Sequence, residues 1–295
     1  MFPGARGWGG ALIATTGSGA RLSPELRPEL SCRERELGVR ADNIDDVVDG
    51  LAGIVAEARR AGDRVGYFAA LYRQVTVEVR KAIHAGRFED GPRMDRFDTH
   101  FGNRYFEAYD AWRRDGSGPR CWRETFGLLD DADTVIVQHL LLGVNAHINL
   151  DLAVAAARTS PGADIQALRN DFLLINDILA SVVLAVQDSV DALSPFMSLL
   201  DKVGGRTDEQ ILDFSIRQSR EEAWYNAVLL AGQTEEQQTT TIDRLDIRAA
   251  VLARLIAHPG GLVRPALELI RRTEKDDVSA VITHLDGAMG GASAG

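Results

Sequence analysis

The stretch from Asp133 to Arg158 constrains the fold more than any other. It carries Val135-Ile136-Val137-Gln138-His139-Leu140-Leu141-Leu142-Gly143-Val144-Asn145-Ala146-His147-Ile148-Asn149-Leu150-Asp151-Leu152, which is apolar on nearly every side of a helix. A helix without a polar face belongs at the centre of a bundle, enclosed by its neighbours. Its polar side chains then need partners, because a buried unsatisfied group costs roughly 1–3 kcal/mol. Here they are concentrated. At about 100° per residue, Gln138, Asn145 and Asn149 fall within about 40° of one another, while His139, His147 and Asp151 spread over about 120° of a different side. His147 and Asp151 are four apart and can meet directly.

A second apolar helix is expected from about Ala163 to Leu193, after the helix stop Thr159-Ser160-Pro161-Gly162. Asn170, Asp177, Ser181 and Asp188 are spaced 7, 4 and 7 on it, again within about 40°. If the two helices pair as an antiparallel hairpin, His147 faces Asp177 across a buried polar site, the usual layout inside a helical bundle.

The rest of the chain also reads as helix, with no convincing strand. Asp42 or Asn43 can cap a helix through about Arg60. A second runs from about Asp63 to His84, with Tyr67, Leu71, Val75, Val79 and Ile83 spaced by four. A third covers Met94 to Trp112. There Asp98 shares a face with Phe101, Tyr105 and Trp112, and His100 shares another with Arg104. Beyond Ser194-Pro195 a short amphipathic piece and Gly204-Gly205 are expected. Three or four helices should then fill Thr207 to Leu285, among them one with Arg217, Arg220 and Trp224 at helical spacing. An Arg over the Trp face is expected there as cation–π packing, with a second option that it closes the pocket or holds an anionic substrate group. The fold class is all-α, one multi-helix domain over 42–286. Residues 1–41, with six glycines before Ser23, read as a flexible extension, and 287–295 as a disordered tail.

Composition narrows the function. Lys+Arg 33 against Asp+Glu 43 leaves a formal charge of -10, which argues against a broad nucleic-acid or anionic-membrane surface. Only Lys81, Lys202 and Lys275 are lysines, an arginine bias of the kind a GC-rich genome produces. No unbroken apolar run reaches the roughly 18 residues of a membrane span. Cys32 and Cys121 stand far apart in no paired motif, fitting a reducing, cytoplasmic setting. Gly-rich nucleotide loops, His-Glu-x-x-His, the repeated Glu-x-x-His of di-iron bundles and a Gly-x-Ser-x-Gly elbow are absent.

Three strings carry a resemblance: Phe97-Asp98-x-x-Phe101-x-Asn103-Arg104-Tyr105, then His139-x3-Gly143-x-Asn145-Ala146-His147-Ile148-Asn149-x-Asp151-Leu152, then Asp171-Phe172-x3-Asn176-Asp177. Over roughly residues 45 to 285 the chain resembles a bacterial family labelled domain of unknown function 5995. The resemblance implies a helical fold and joint action of Asn145, His147, Asn149 and Asp151. It carries no activity.

The residues themselves support an enzyme acting on a small, mostly apolar molecule by cyclisation, isomerisation or hydrolysis, without a nucleotide cofactor. His147, oriented by Asp151, is the expected general acid or base, with His139 as second proton carrier and Asp98 beside them. Asn145, Asn149, Gln138, Arg104, Tyr105, Asp177 and Trp224 are the expected substrate contacts. A variant places a divalent metal (Zn, Mn or Fe) on His139, His147, Asp151 and Asp177, although a spacing of eight between the histidines is long for one straight helix. The alternative is a non-catalytic binding or interaction protein, in which the buried polar groups only fix helix register.

Overall fold

The computed structural model describes residues 38–194, 208–260 and 263–288, except for the side chains of 183–189, 191–192 and 208–215. The expected N-terminal extension and C-terminal tail lie almost wholly outside the described residues, as does the piece that follows Ser194. All regular structure among the described residues is helical.

Helix α1 spans Ile44–Ala61 and α2 spans Val65–His84. Asn43, one of the two expected caps, starts α1 by accepting the Asp46 N–H at 3.0 Å. Gly62 ends it in the left-handed conformation, φ 66°, and lets α2 fold back on α1. Helix α3 spans Gly91–Asp115, longer at both ends than its apolar pattern suggested. Asp90 caps it, accepting the Arg93 N–H at 2.9 Å. A short helix that the sequence did not disclose, α4 (Arg120–Phe126), buries Cys121, Trp122, Thr125 and Phe126. Seven residues are too few for a periodicity to register.

The central helix comes next in three parts. Helix α5 spans Ile136–Ala146, a π-helical turn covers His147–Asp151, and α6 spans Leu152–Thr159. The Leu152 N–H reaches back five residues to the His147 carbonyl, so the turn holds one residue more than an α-turn, a feature frequent at functional sites. By length and mean hydropathy, 1.5, Ile136–Thr159 qualifies as a membrane span, which a count of unbroken apolar residues does not register. Within this chain 83% of its most apolar window is buried, as expected for the middle of a bundle. Close packing needs Gly143, since a Cβ there would overlap the Phe68 ring of α2.

A 3-10 segment, Gly162–Leu168, separates α6 from α7 (Arg169–Leu193). Then follow α8 (Asp208–Ala231), α9 (Glu235–Ala257), α10 (Val263–Arg271) and α11 (Val278–Asp286). The expected hairpin does not form. Helix α5 packs on α2, α4 and α9, and α6 packs on α3 and α8, while α7 runs against α2, α8 and α11. The polar stripe of α7 is therefore its solvent side: Asn170, Asp177 and Ser181 are exposed, and the Asp188 side chain lies outside the described residues. Instead the buried Asp171 fixes this helix. It accepts the N–H groups of Glu89 and Asp90 at 2.7 and 3.2 Å and pairs with Arg93 at 2.8 Å.

Candidate functional site

The two polar groups of the central helix separate, as their angles implied. One side is structural. Gln138 Oε1 accepts the Val135 N–H at 3.1 Å, and its Nε2 donates to the Ile256 and Ala257 carbonyls at the end of α9. Asn145 donates to the Ala249 carbonyl at 2.9 Å and accepts from Asn149 at 3.0 Å. These amides tie the central helix to α9. They are not the expected substrate contacts, because they already satisfy each other and the backbone.

The other side holds the chemistry. Asp151 is fully buried and accepts from Trp122 Nε1 at 2.8 Å and Arg104 Nε at 3.1 Å. His147 Nδ1 lies 3.2 Å from its Oδ2. A carboxylate that accepts from all three neighbours leaves the proton of a neutral imidazole on Nδ1, so Nε2 keeps its lone pair. Burial lowers the pKa of His147, with Asp151 acting in the opposite sense, so the ring is neutral from about its ordinary value upward. It is stacked on Phe101 with centroids 3.6 Å apart and met edge-on by Tyr72 at 4.4 Å. Nε2 is buried without a hydrogen-bond partner.

His147 lines a cavity of about 90 Å³. Its walls are Phe68, Leu71, Val75 and Val79 of α2, Phe97 and Phe101 of α3, Val144, Ile148 and Leu152 of the central helix, and Ile175, Leu179 and Val182 of α7. Ile216 and Arg220 of α8 complete it. Besides His147 and Arg220, the polar members are Asp98 and Tyr72. Asp98 Oδ2 and the Tyr72 hydroxyl are also buried without partners. Unpaired buried polar atoms are rare in folded proteins, and three belong to residues that line this cavity. Desolvation lifts Asp98 to about 7, with the neighbouring Asp95 adding to it. Burial raises the Tyr72 phenol too, helped by Asp98 and Asp151, which places that phenol in the field of both carboxylates.

The remaining expected site residues lie elsewhere. His139 packs edge-on against Tyr67, 5.7 Å away, beside Arg64 and Leu129. Burial holds its pKa down to about 4, but it does not reach the His147 cavity and is no second proton carrier there. Arg104 touches Asp151 rather than the cavity, so it positions the dyad. Tyr105 is buried against Phe68 and Trp122. Trp224 packs on Phe172 and carries Arg169 on its face at 4.8 Å. Of the two arginines at helical spacing with it, Arg220 lies over Phe172 at 4.5 Å. With Asp177 exposed and His139 remote, the quartet expected to bind a metal is not assembled. Among the described residues no group of three or more His, Cys, Asp or Glu side chains is close enough to hold one.

Two contributors escaped the sequence reading. Trp122 sits on the undetected α4. Its signal was the apolar spacing Cys121, Trp122, Thr125 and Phe126 after Pro119. Tyr72 is one residue off the expected stripe of Tyr67, Leu71, Val75, Val79 and Ile83, of which Leu71, Val75 and Ile83 are only half-buried while Tyr72 is buried. Cys121, the free thiol of the described residues, is buried, and burial raises its pKa, so it is no nucleophile for this cavity.

No match to the chain is found among curated proteins or solved structures. The family model described as "Family of unknown function (DUF5995)" matches residues 44–259, which takes in α1 to α9 and every residue of the cavity. The chain belongs to this family of unknown function.

Proposed function

We propose that the protein is an acid–base enzyme acting on a small, largely apolar molecule held between α2, α3, the central helix and α7. The observation that carries this reading is the unpartnered Nε2 of His147, backed through Nδ1 by a buried carboxylate and open to an apolar cavity. In that setting Nε2 takes a proton from the substrate, and Asp151 stabilises the imidazolium that forms. Asp98, protonated below about 7, supplies a proton to the oxygen or carbon where negative charge develops. The Tyr72 hydroxyl is placed to hydrogen-bond the same group. Among the described residues that line the cavity there is neither a cysteine nor a serine, which supports proton transfer without a covalent intermediate and favours isomerisation or cyclisation. The apolar walls favour these over hydrolysis, since they offer a water few partners. A small-molecule ligand, a cytoplasmic setting and no nucleic-acid or membrane partner are part of the same proposal, supported by the net charge of -10.

The test is conversion. Wild-type protein, His147→Gln and Asp98→Asn are incubated with a small-metabolite extract, and consumed and formed species are followed by mass spectrometry. The reading expects at least one pair of isomers to interconvert with the wild type only, at unchanged helical CD. Conversion that survives His147→Gln ends the acid–base reading. Retention of a ligand without conversion points to the binding-protein alternative.

A further inference from the structure

Three arginine side chains hold parts of this domain together, and one of them, Arg220, is buried where the other two are half-buried. Arg93 pairs with Asp171 at 2.8 Å and Arg104 with Asp151 at 3.1 Å. Arg220 is only 3% exposed, yet no carboxylate pairs with it among the described residues. Its Nε donates to Asn176 Oδ1 and its Nη2 to the Phe172 carbonyl, both neutral acceptors. The guanidinium lies over the Phe172 ring and lines the cavity. Burial draws its pKa down to about 9, so it remains a cation at neutral pH. The nearby Glu221 raises that pKa but is itself paired with Arg169 at 2.9 Å, and a buried charge with no ion-pair partner of its own is costly. A ligand that brings the anion removes that cost.

We infer that Arg220 is an anion anchor and that the ligand of this cavity is a small apolar molecule bearing one carboxylate. The inference rests on the reading of this cavity as the ligand site. Nη1 and the second hydrogen of Nη2 remain for an end-on pair of hydrogen bonds, the geometry a carboxylate matches. Among the described residues Arg220 is the one cation in these apolar walls, which suits one negative charge rather than a phosphate, since a phosphate recruits clusters of donors. Arg220 lines the cavity from α8, whereas Asp98 lines it from α3 and His147 from the central helix. A molecule that reaches both has its carboxylate at the anchor and its reacting group beside the acid–base pair. Its body is short: an apolar cavity of roughly 150 Å³ holds benzene, and this one is about 90 Å³.

Calorimetric titration of the full chain with propanoate, butanoate, pentanoate and butanamide tests this, using wild type, Arg220→Gln, Arg220→Lys and His147→Gln. The expected result is butanoate binding at least tenfold tighter than butanamide. That advantage disappears in Arg220→Gln and partly returns in Arg220→Lys. Butanoate binding retained in His147→Gln upholds the anchor whatever becomes of the catalytic reading. Equal affinity for acid and amide, an advantage that survives Arg220→Gln, or no binding of any of the three carboxylates overturns it. If Arg220→Gln does not fold, the acid-to-amide ratio of the wild type and of Arg220→Lys decides, since a purely structural arginine gives a ratio near one in both.

Discussion

Asp98 shows how one buried side chain couples stability to chemistry. Folding raises its pKa from 3.8 to about 7, so the unfolded chain releases this proton first. Its favourable contribution is complete below about 4 and is lost as the pH rises to about 7. Asp98→Asn should therefore gain stability on the wild type between pH 4 and 8, by an amount on the order of 4 kcal/mol. Urea unfolding at both pH values measures this, and a constant difference would refute it. His147 works in the opposite sense. Its pKa is lowered, so it costs stability at acid pH, and the cost vanishes as the pH rises to about 6.5. Catalysis follows the same protons. kcat/KM should fall above about pH 7 as Asp98 ionises, and Asp98→Asn should lose that limb together with roughly 10²–10⁴-fold of rate. A pH–rate profile with the limb intact in the variant contradicts the assignment. At this scale the sequence disclosed His147, Asp151 and Asp98, because charged groups on apolar faces stand out. It could not separate them from Gln138, Asn145 and Asn149, because both groups ride on one helix and only the neighbouring helices show which is already satisfied. His139→Ala accordingly should keep full conversion, whereas loss of conversion at unchanged fold would restore it to the site.

Helix types were legible because their periods run over many residues: α1, α2, α3 and the central helix lie within a few residues of their expected ends. Pairing was not. The Pro161-Gly162 turn suggested a hairpin, but the 3-10 segment Gly162–Leu168 carries α7 away from α6 and turns its polar stripe to solvent. Polar spacing on an apolar helix marks a face; whether that face meets water or a neighbour depends on contacts distant in sequence. The π-turn was equally hidden, since a spacing of four brings His147 and Asp151 together with or without an extra residue. Gly143 gives the element-scale prediction. Gly143→Ala forces the central helix off Phe68 and should cost about 1–3 kcal/mol. Because Phe68 lines the cavity, conversion should drop in step with stability. A neutral substitution in thermal unfolding would show that the two helices have room to spare.

At the scale of the molecule, the site is a product of long-range ties rather than of any one segment. Trp122 on α4 and Arg104 on α3 hold Asp151 on the central helix, and Asp171 fastens α7 to the start of α3 through Arg93 and two backbone N–H groups. Composition and periodicity carried the all-α class, but nothing in them placed α7 as a cavity wall. Asp171→Ala takes from Arg93 its buried partner and leaves it only Asp90 at 3.8 Å, and should destabilise the domain by on the order of 3 kcal/mol. Amide exchange should rise first in α7 and in residues 85–90. Uniform loss of protection across all helices would instead mean that the domain has no separable wall.

The central claim joins these scales: the fold holds His147 neutral, with its proton on Nδ1 and a bare Nε2 facing an apolar cavity. Nitrogen-15 NMR of the imidazole, titrated from pH 5 to 8 in the full chain, reads tautomer and pKa together. The account predicts a protonated Nδ1, an unprotonated Nε2 and a midpoint below 6.5. A proton on Nε2 of the neutral ring, or an imidazolium that persists above pH 7, would contradict it.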